Sequence, residues 1–312
     1  MPMSVETFRE LGLDTQPALE VNGRGAADFR LSLDHAGDGP YHPCPEAVFD
    51  TDVPAGELAI HRAWDASRIF AGTRRDVFVH VPAGLDRKAP VQLIVFNDGA
   101  GYLSRKGPVR AAQVLDALLA RGEIAPTVGL FVNPGARRAD AGPDWDQRRR
   151  EYDPLTADYG RFLLEELIPF VEAAEDLRFT EDPAGRVVCG ISSGGIAAFT
   201  AAWRFPERFG GVISHCGSFV NIDGGHNYPF LVRSTPRKPI RVLIQSGEND
   251  GRNVYGDWPL ANRTMANALD FAGYEVRFAF GTGGHTLRHG GAIFADTLRW
   301  ILPRPRLDGA GP

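Results

Sequence analysis

Short apolar runs alternate with amphipathic helical stretches along most of this chain, and that alternation restricts the fold more than any other feature. The runs are VQLIVF (91–96), TVGLFV (127–132), RVVCG (186–190), GGVISHC (210–216), IRVLIQ (240–245) and YEVRFAF (274–280). Their length and apolar character predict strands buried on both faces. Helical patterns lie between and after them, at 108–122, 155–176, 194–205, 258–273 and 290–302, with Gly122 and Gly273 as stops. A strand–helix alternation builds right-handed βαβ units, so it predicts a mainly parallel central sheet with helices on both faces. Two earlier segments, ELAIHRAW (57–64) and RRDVFVHVP (74–82), alternate in the manner of antiparallel neighbours. Residues 1–52 are punctuated by Pro and Gly and read as an extended segment packed on a main domain spanning 53–304, with 305–312 a tail.

Composition narrows what such a fold can serve. With 312 residues, 43% hydrophobic and 23% charged, the chain has an ordinary globular make-up, and a net charge of −5 offers no basic field to nucleic acid or anionic lipid. No apolar run approaches the roughly 18–20 residues of a membrane span. The first residues carry no basic start followed by an apolar stretch, so a cytoplasmic location is expected. Three cysteines, Cys44, Cys189 and Cys216, are too few for a disulfide framework, and the latter two sit in apolar runs as buried thiols.

In an open α/β sheet, ligands meet the protein at the carboxyl ends of the strands. After 186–190 comes Gly190-Ile191-Ser192-Ser193-Gly194-Gly195, a G-x-S-x-G turn centred on Ser192. A nucleophile on a tight strand-to-helix turn presses the residues two before and two after it together, and only small residues fit there. Centring on Ser193 would place Ile191 in that position. The competing reading is a plain connection with capping serines. After 240–245, SGENDGRN supplies two candidate acids, Glu248 and Asp250, and after 274–280, GTGGHTLRHGG presents His285 in a Gly-rich loop. The order Ser, acid, His is that of α/β-hydrolases, in which the histidine takes the serine proton and the acid orients the imidazole. An oxyanion hole needs two N–H groups, one from Ser193 and one from the loop Asp98-Gly99-Ala100-Gly101. The stretch 133–154, long and without clear secondary structure, is expected to overhang Ser192, with Glu151 and Tyr152 as a pocket wall for substrate. GSFVNIDGGHNYPF (217–230) adds His226. His285 and His289, four apart, raise a zinc reading, but no glutamate follows His285 and the glycines argue for a loop. No metal and no cofactor is expected, the partner being a small-molecule ester, with homo-oligomerisation left open.

NDGAGYL, RRREYDPLTADYGRFLLEELIPFVE, GISSGGIAAFTAAWRFPERFG, SGEND and GGHTLRHGG together resemble the esterase D-type branch of the α/β-hydrolases, over roughly residues 55–303. That branch includes enterochelin esterases, feruloyl and acetylxylan esterases and mycolyl-transferases. The resemblance implies an α/β-hydrolase fold, with the nucleophile at Ser192, the histidine at His285, the acid at Asp250 and the second oxyanion N–H at Ala100. It implies a serine carboxylic ester hydrolase working through an acyl-enzyme on an acylated sugar, an aromatic acyl ester or a lactone. Acyl transfer on the same triad and siderophore ester hydrolysis are the alternatives. No separate N-terminal binding domain of the enterochelin-esterase kind is expected.

Overall fold

The computed structural model describes residues 36–137 and 144–303. The expected tail at 305–312 and the first 35 residues of the expected N-terminal segment lie outside these. Ten strands are present among the described residues: β1 (Glu57–Trp64), β2 (Arg75–Val81), β3 (Gln92–Asn97), β4 (Thr127–Val132), β5 (Arg186–Ile191), β6 (Gly211–His215), β7 (Arg241–Asn249), β8 (Arg252–Asn253), β9 (Gly256–Asp257) and β10 (Glu275–Gly284). Eight form one sheet in the order β1-β2-β4-β3-β5-β6-β7-β10, while β8 and β9 pair with each other. β1 runs antiparallel to β2, and β2 antiparallel to β4. The other pairs of the large sheet are parallel, as the alternating pattern predicts.

The strand period of two distributes side chains to two cores. From β3, Leu93 and Val95 enter one core with Phe162, Phe199 and Leu269 of the covering helices. Ile94 and Phe96 enter the other, with Val114, Leu118 and Leu298. Helices thus cover both faces, and the parallel strands deliver their carboxyl ends to one edge.

Three helical segments depart from expectation. The stretch predicted as one helix over 155–176 is helical at Asp158–Arg161 and Ile168–Glu175, with a π-helical turn at Phe162–Leu167 between them. At its end the Ile168 N–H donates to the Leu163 carbonyl, five residues back, and the next residue, Pro169, has no N–H to continue the regular ladder. The last predicted helix is divided into Arg288–Ala292 and Phe294–Ile301. Most consequentially, within the stretch 133–154, of which 138–143 lie outside the described residues, Trp145–Tyr152 is a helix, capped by the Asp144 carboxylate, which accepts from the Gln147 N–H.

The described residues before 53 lie on the sheet's helical layer. Cys44 and Ala47 are buried in the second core. Asp38 accepts from the Gly284 N–H (2.9 Å) and the Thr286 hydroxyl (2.7 Å), and Tyr41 stacks on His289. No helix among the described residues is long and apolar enough to cross a membrane.

Candidate active site

The turn after β5 is as tight as its glycines imply. Ser192 has φ 60° and ψ −124°, a strained conformation for a residue with a side chain, and the helix Ser193–Arg204 starts immediately after it. A Cβ on Gly190 would stand 2.2 Å from the Gly194 carbonyl oxygen, so the residues two before and two after Ser192 are in backbone contact. Ser193 is the first helical residue and carries no such strain. The Ser192 side chain does not cap the helix. The helix begins with N–H groups that lack intrahelical acceptors, and its dipole places positive potential beside the Ser192 hydroxyl.

The parallel neighbours β7 and β10 carry the other two residues to the same edge. His285 follows β10, and its Nδ1 lies 2.5 Å from Asp250 Oδ1. Asp250, just past β7, also accepts from the Ser246 hydroxyl (2.5 Å) and the Gly251 N–H (2.7 Å). Both members of the pair are buried. Three donors fix the carboxylate, and the carboxylate fixes the imidazole, with Nδ1–H toward Asp250 and Nε2 left to meet a proton donor. Glu248, the competing acid, is an exposed residue two positions earlier.

A chain of buried contacts through Trp258 and Ser218 connects His285 to Ser192. Trp258, at the start of the helix Trp258–Phe271, meets the His285 ring edge-on at 5.8 Å between centroids, and its Nε1–H lies 3.3 Å from Ser218 Oγ. Ser218 Oγ in turn lies 3.3 Å from Ser192 Oγ. Sequence reasoning did not single out Ser218 or Trp258, since one turn serine and one helix-initial tryptophan form no pattern along the chain.

The remaining predicted residues are placed differently from one another. Ala100 lies in the short helix Gly99–Leu103 after β3, and its N–H donates to Asn133 Oδ1 at 3.0 Å. Glu151 and Tyr152 do not form a pocket wall. Glu151 is fully enclosed and holds the equally enclosed Arg75 of β2 through contacts of 2.7 and 3.1 Å, while accepting from Gln147 and from the Gly135 N–H. Tyr152 is buried, and its hydroxyl accepts from the Asp98 N–H at 3.2 Å. The helix carrying them acts as a strut. Its Arg148 grips Asp98 with two bonds of 2.8 Å and reaches the Ile191 carbonyl at 3.3 Å, so the end of β3 is tied to the residue before Ser192. His226 is exposed on the turn Gly225–Asn227, close in sequence to Asp223, which pairs with Arg149 of the strut.

Asp153, at the end of the strut, is buried, and burial pushes its carboxyl up to about 6, with a bond from the Ser193 hydroxyl and the charge of Arg148 working against the rise. The sulfur, oxygen and nitrogen atoms of Cys216, Asp250 and His285 fall within 4.8 Å of one another, a spacing open to a metal. The imidazole Nδ1 and the Asp250 oxygen are already bonded to each other there, which suits a proton-relay pair better than a cation site. His289 does not join His285; it stacks on Tyr41 and meets Gln245.

Known proteins match this chain over the region just described. The family model described as "Putative esterase" covers residues 67–298. The chain belongs to this esterase family. It is 30% identical over 247 residues to an iron(III) enterobactin esterase of Dickeya dadantii, covering 73% of this chain and 52% of that protein. It is 26% identical over 234 residues to an iron(III) salmochelin esterase of Escherichia coli O6:H1, covering 70% and 52%. The chain spans about half the length of the curated relatives it matches. Among solved structures, the enterobactin esterase of Shigella flexneri superimposes with a TM-score of 0.62 at 22% identity, covering 80% of this chain and 61% of that one. The ferulic acid esterase of Anaeromyces mucronatus gives 0.66 at 16%, covering 87% and 98%. At these identities the superpositions speak for the α/β-hydrolase fold that the esterase family shares.

Proposed function

We propose that this chain is a serine carboxylic ester hydrolase. Ser192 is the nucleophile, His285 the general base and Asp250 the acid that holds the imidazole. The observation that carries the reading is the 2.5 Å Asp250–His285 contact, set at the strand edge where a strained serine opens a helix. The His285 Nε2 removes the Ser192 proton as Oγ attacks the ester carbonyl. The alcohol leaves with that proton, and water then hydrolyses the acyl-enzyme by the same route. The Ser193 N–H supplies one oxyanion donor. Ala100 supplies the second once the Asn133 side chain gives way and its N–H meets the developing oxyanion instead. The 30% identity to an iron(III) enterobactin esterase supports a siderophore-type ester as substrate ahead of an acylated sugar.

Labelling by a fluorophosphonate probe, with the modified residue mapped by peptide mass, tests the reading. The label is expected on Ser192 and absent from Ser192→Ala, whose esterase turnover should fall by more than about 10⁴-fold. A label on Ser193, or full turnover in Ser192→Ala, overturns it. Enterobactin and methyl ferulate, assayed beside p-nitrophenyl acetate, then separate the siderophore reading from a general aryl esterase.

A further inference from the structure

The turn after β6 holds a second hydroxyl against the first. Cys216 takes φ 47°, and the chain bends so that the Ser218 N–H donates to the Ser192 carbonyl at 3.1 Å. Asn262 fixes this turn to the helix Trp258–Phe271, donating to the Gly217 carbonyl at 2.9 Å and to the Trp258 carbonyl at 3.0 Å. Ser218, Trp258 and Asn262 are all fully buried. Ser218 Oγ therefore faces two fixed partners, Trp258 Nε1 and Ser192 Oγ, each at 3.3 Å.

The chemistry of those partners fixes the direction of one contact and leaves the other to be assigned. An indole N–H can only donate, so Ser218 Oγ is its acceptor. The indole takes one lone pair of Ser218 Oγ and leaves its proton free to give, and of the two 3.3 Å partners Ser192 Oγ is the one able to accept it, although either hydroxyl of that contact can be the donor. With Ser218 as the donor, Ser192 Oγ is an acceptor toward it, and the Ser192 proton is free for the imidazole. We propose that Ser218 and Trp258 form a positioning relay, Trp258 N–H to Ser218 O–H to Ser192 Oγ. It leaves the Ser192 O–H directed toward His285 Nε2 and donates to Oγ as that atom loses its proton during attack. This rests on the reading of Ser192 as nucleophile. No bond is made or broken at Ser218; its proton stays on its own oxygen throughout. Trp258 has a second hold on the same chemistry, because its ring packs edge-on to His285.

The test compares Ser218→Ala, Ser218→Thr, Trp258→Phe and the double variant Ser218→Ala/Trp258→Phe in the full chain. The readouts are kcat and KM on p-nitrophenyl acetate and the rate of fluorophosphonate labelling. Ser218→Ala is expected to lower kcat and the labelling rate by about tenfold, with KM within about twofold, the scale of one charge-assisted hydrogen bond. Threonine keeps the hydroxyl and should recover kcat to within about threefold of wild type. The double variant should lose no more than the larger single loss, because both substitutions cut the same relay. Wild-type kcat in Ser218→Ala, losses confined to KM, no rescue by threonine, or single losses that multiply in the double variant would each overturn the relay. Should Ser218→Ala fail to fold, the threonine and phenylalanine variants carry the same comparison, with threonine near wild type and phenylalanine slowed. Labelling of the wild type away from Ser192 would instead remove the nucleophile assignment beneath it.

Discussion

Two buried histidine–aspartate pairs occur among the described residues, and one of them lies at the strand edge that carries Ser192. His285 and Asp250 lie 2.5 Å apart at the carboxyl ends of β10 and β7. His80 of β2 and Asp116 of the helix Ala111–Ala120 lie 3.0 Å apart on the second core's side of the sheet. Burial and composition are alike, so neither property marks a site. The first difference is alignment. The Asp250 oxygens accept from Ser246, Gly251 and His285, whereas His80 Nε2 and Asp116 Oδ1 face each other without hydrogen-bond geometry, and His80 Nδ1 has no partner. The second is location: His285 abuts Trp258, which leads through Ser218 to a strained serine, while His80 is covered by Gly56, whose N–H bonds Asp116 at 3.1 Å. A histidine–carboxylate pair is thus a common structural device. In the proposed reaction the His285–Asp250 pair serves as a base because the parallel strands bring it to the edge that carries the Ser192 hydroxyl.

The largest test of this contrast is Asp250→Asn. Amide nitrogen in place of a carboxylate oxygen reverses one hydrogen bond and favours the wrong imidazole tautomer, so kcat should fall by about 10³-fold or more, measured on p-nitrophenyl acetate. A loss below tenfold would mean the alignment at Asp250 does not matter to chemistry. Next comes a pair of the frame, Arg75–Glu151. Glu151→Gln leaves a guanidinium with no accessible surface and no carboxylate, which should cost about 3–5 kcal/mol in urea unfolding. Turnover per probe-titrated active site should stay within about twofold. A turnover loss specific to large esters would restore Glu151 to the substrate pocket.

Smaller effects sharpen the comparison. Asp116→Asn weakens the misaligned pair and should cost about 1 kcal/mol of stability while leaving kcat unchanged; a tenfold drop in kcat would erase the distinction between the two pairs. Asp153 gives the smallest signal and a pH dependence. Burial raises its carboxyl to about 6 from an ordinary 3.8, so the folded state holds this proton more tightly than the unfolded chain does. Its contribution to stability is therefore fully present below the unfolded value and is lost as pH rises from about 4 through 6. Asp153→Asn mimics the protonated form. It should raise the melting temperature by about 2–4 °C at pH 8 and by less at pH 4. Equal shifts at the two pH values would show that the carboxylate carries no such penalty.

Much of this architecture can be read along the chain because its causes are local. Fully buried strands must be continuously apolar, and the elbow must place small residues at 190 and 194, where the backbones touch. The choice between Glu248 and Asp250 is not local. Their order after the strand is compatible with either, and what separates them is that one side chain is exposed while the other meets three donors in the fold. The helix Trp145–Tyr152 is hidden for a related reason. WDQRRREY has no apolar stripe, and its stability comes from Arg75 and Asp98, distant in sequence, which pair with Glu151 and Arg148. The available signal was Asp144 followed three residues later by Gln147, a helix-start pattern. The Ser218–Trp258 contact joins residues 40 apart through a buried turn and has no counterpart in periodicity or motif.

The bonds from Asp38 to Gly284 and Thr286 bear on the order in which the molecule assembles. They span 246 and 248 positions, among the longest separations available to this chain. Contacts of such range cannot repay their entropy until the intervening strands and helices are in place. The loop that presents His285 is clamped at its base by contacts of this long range, so a refolding chain is expected to regain its sheet before it regains a rigid base, which stopped-flow fluorescence followed beside recovery of turnover would check.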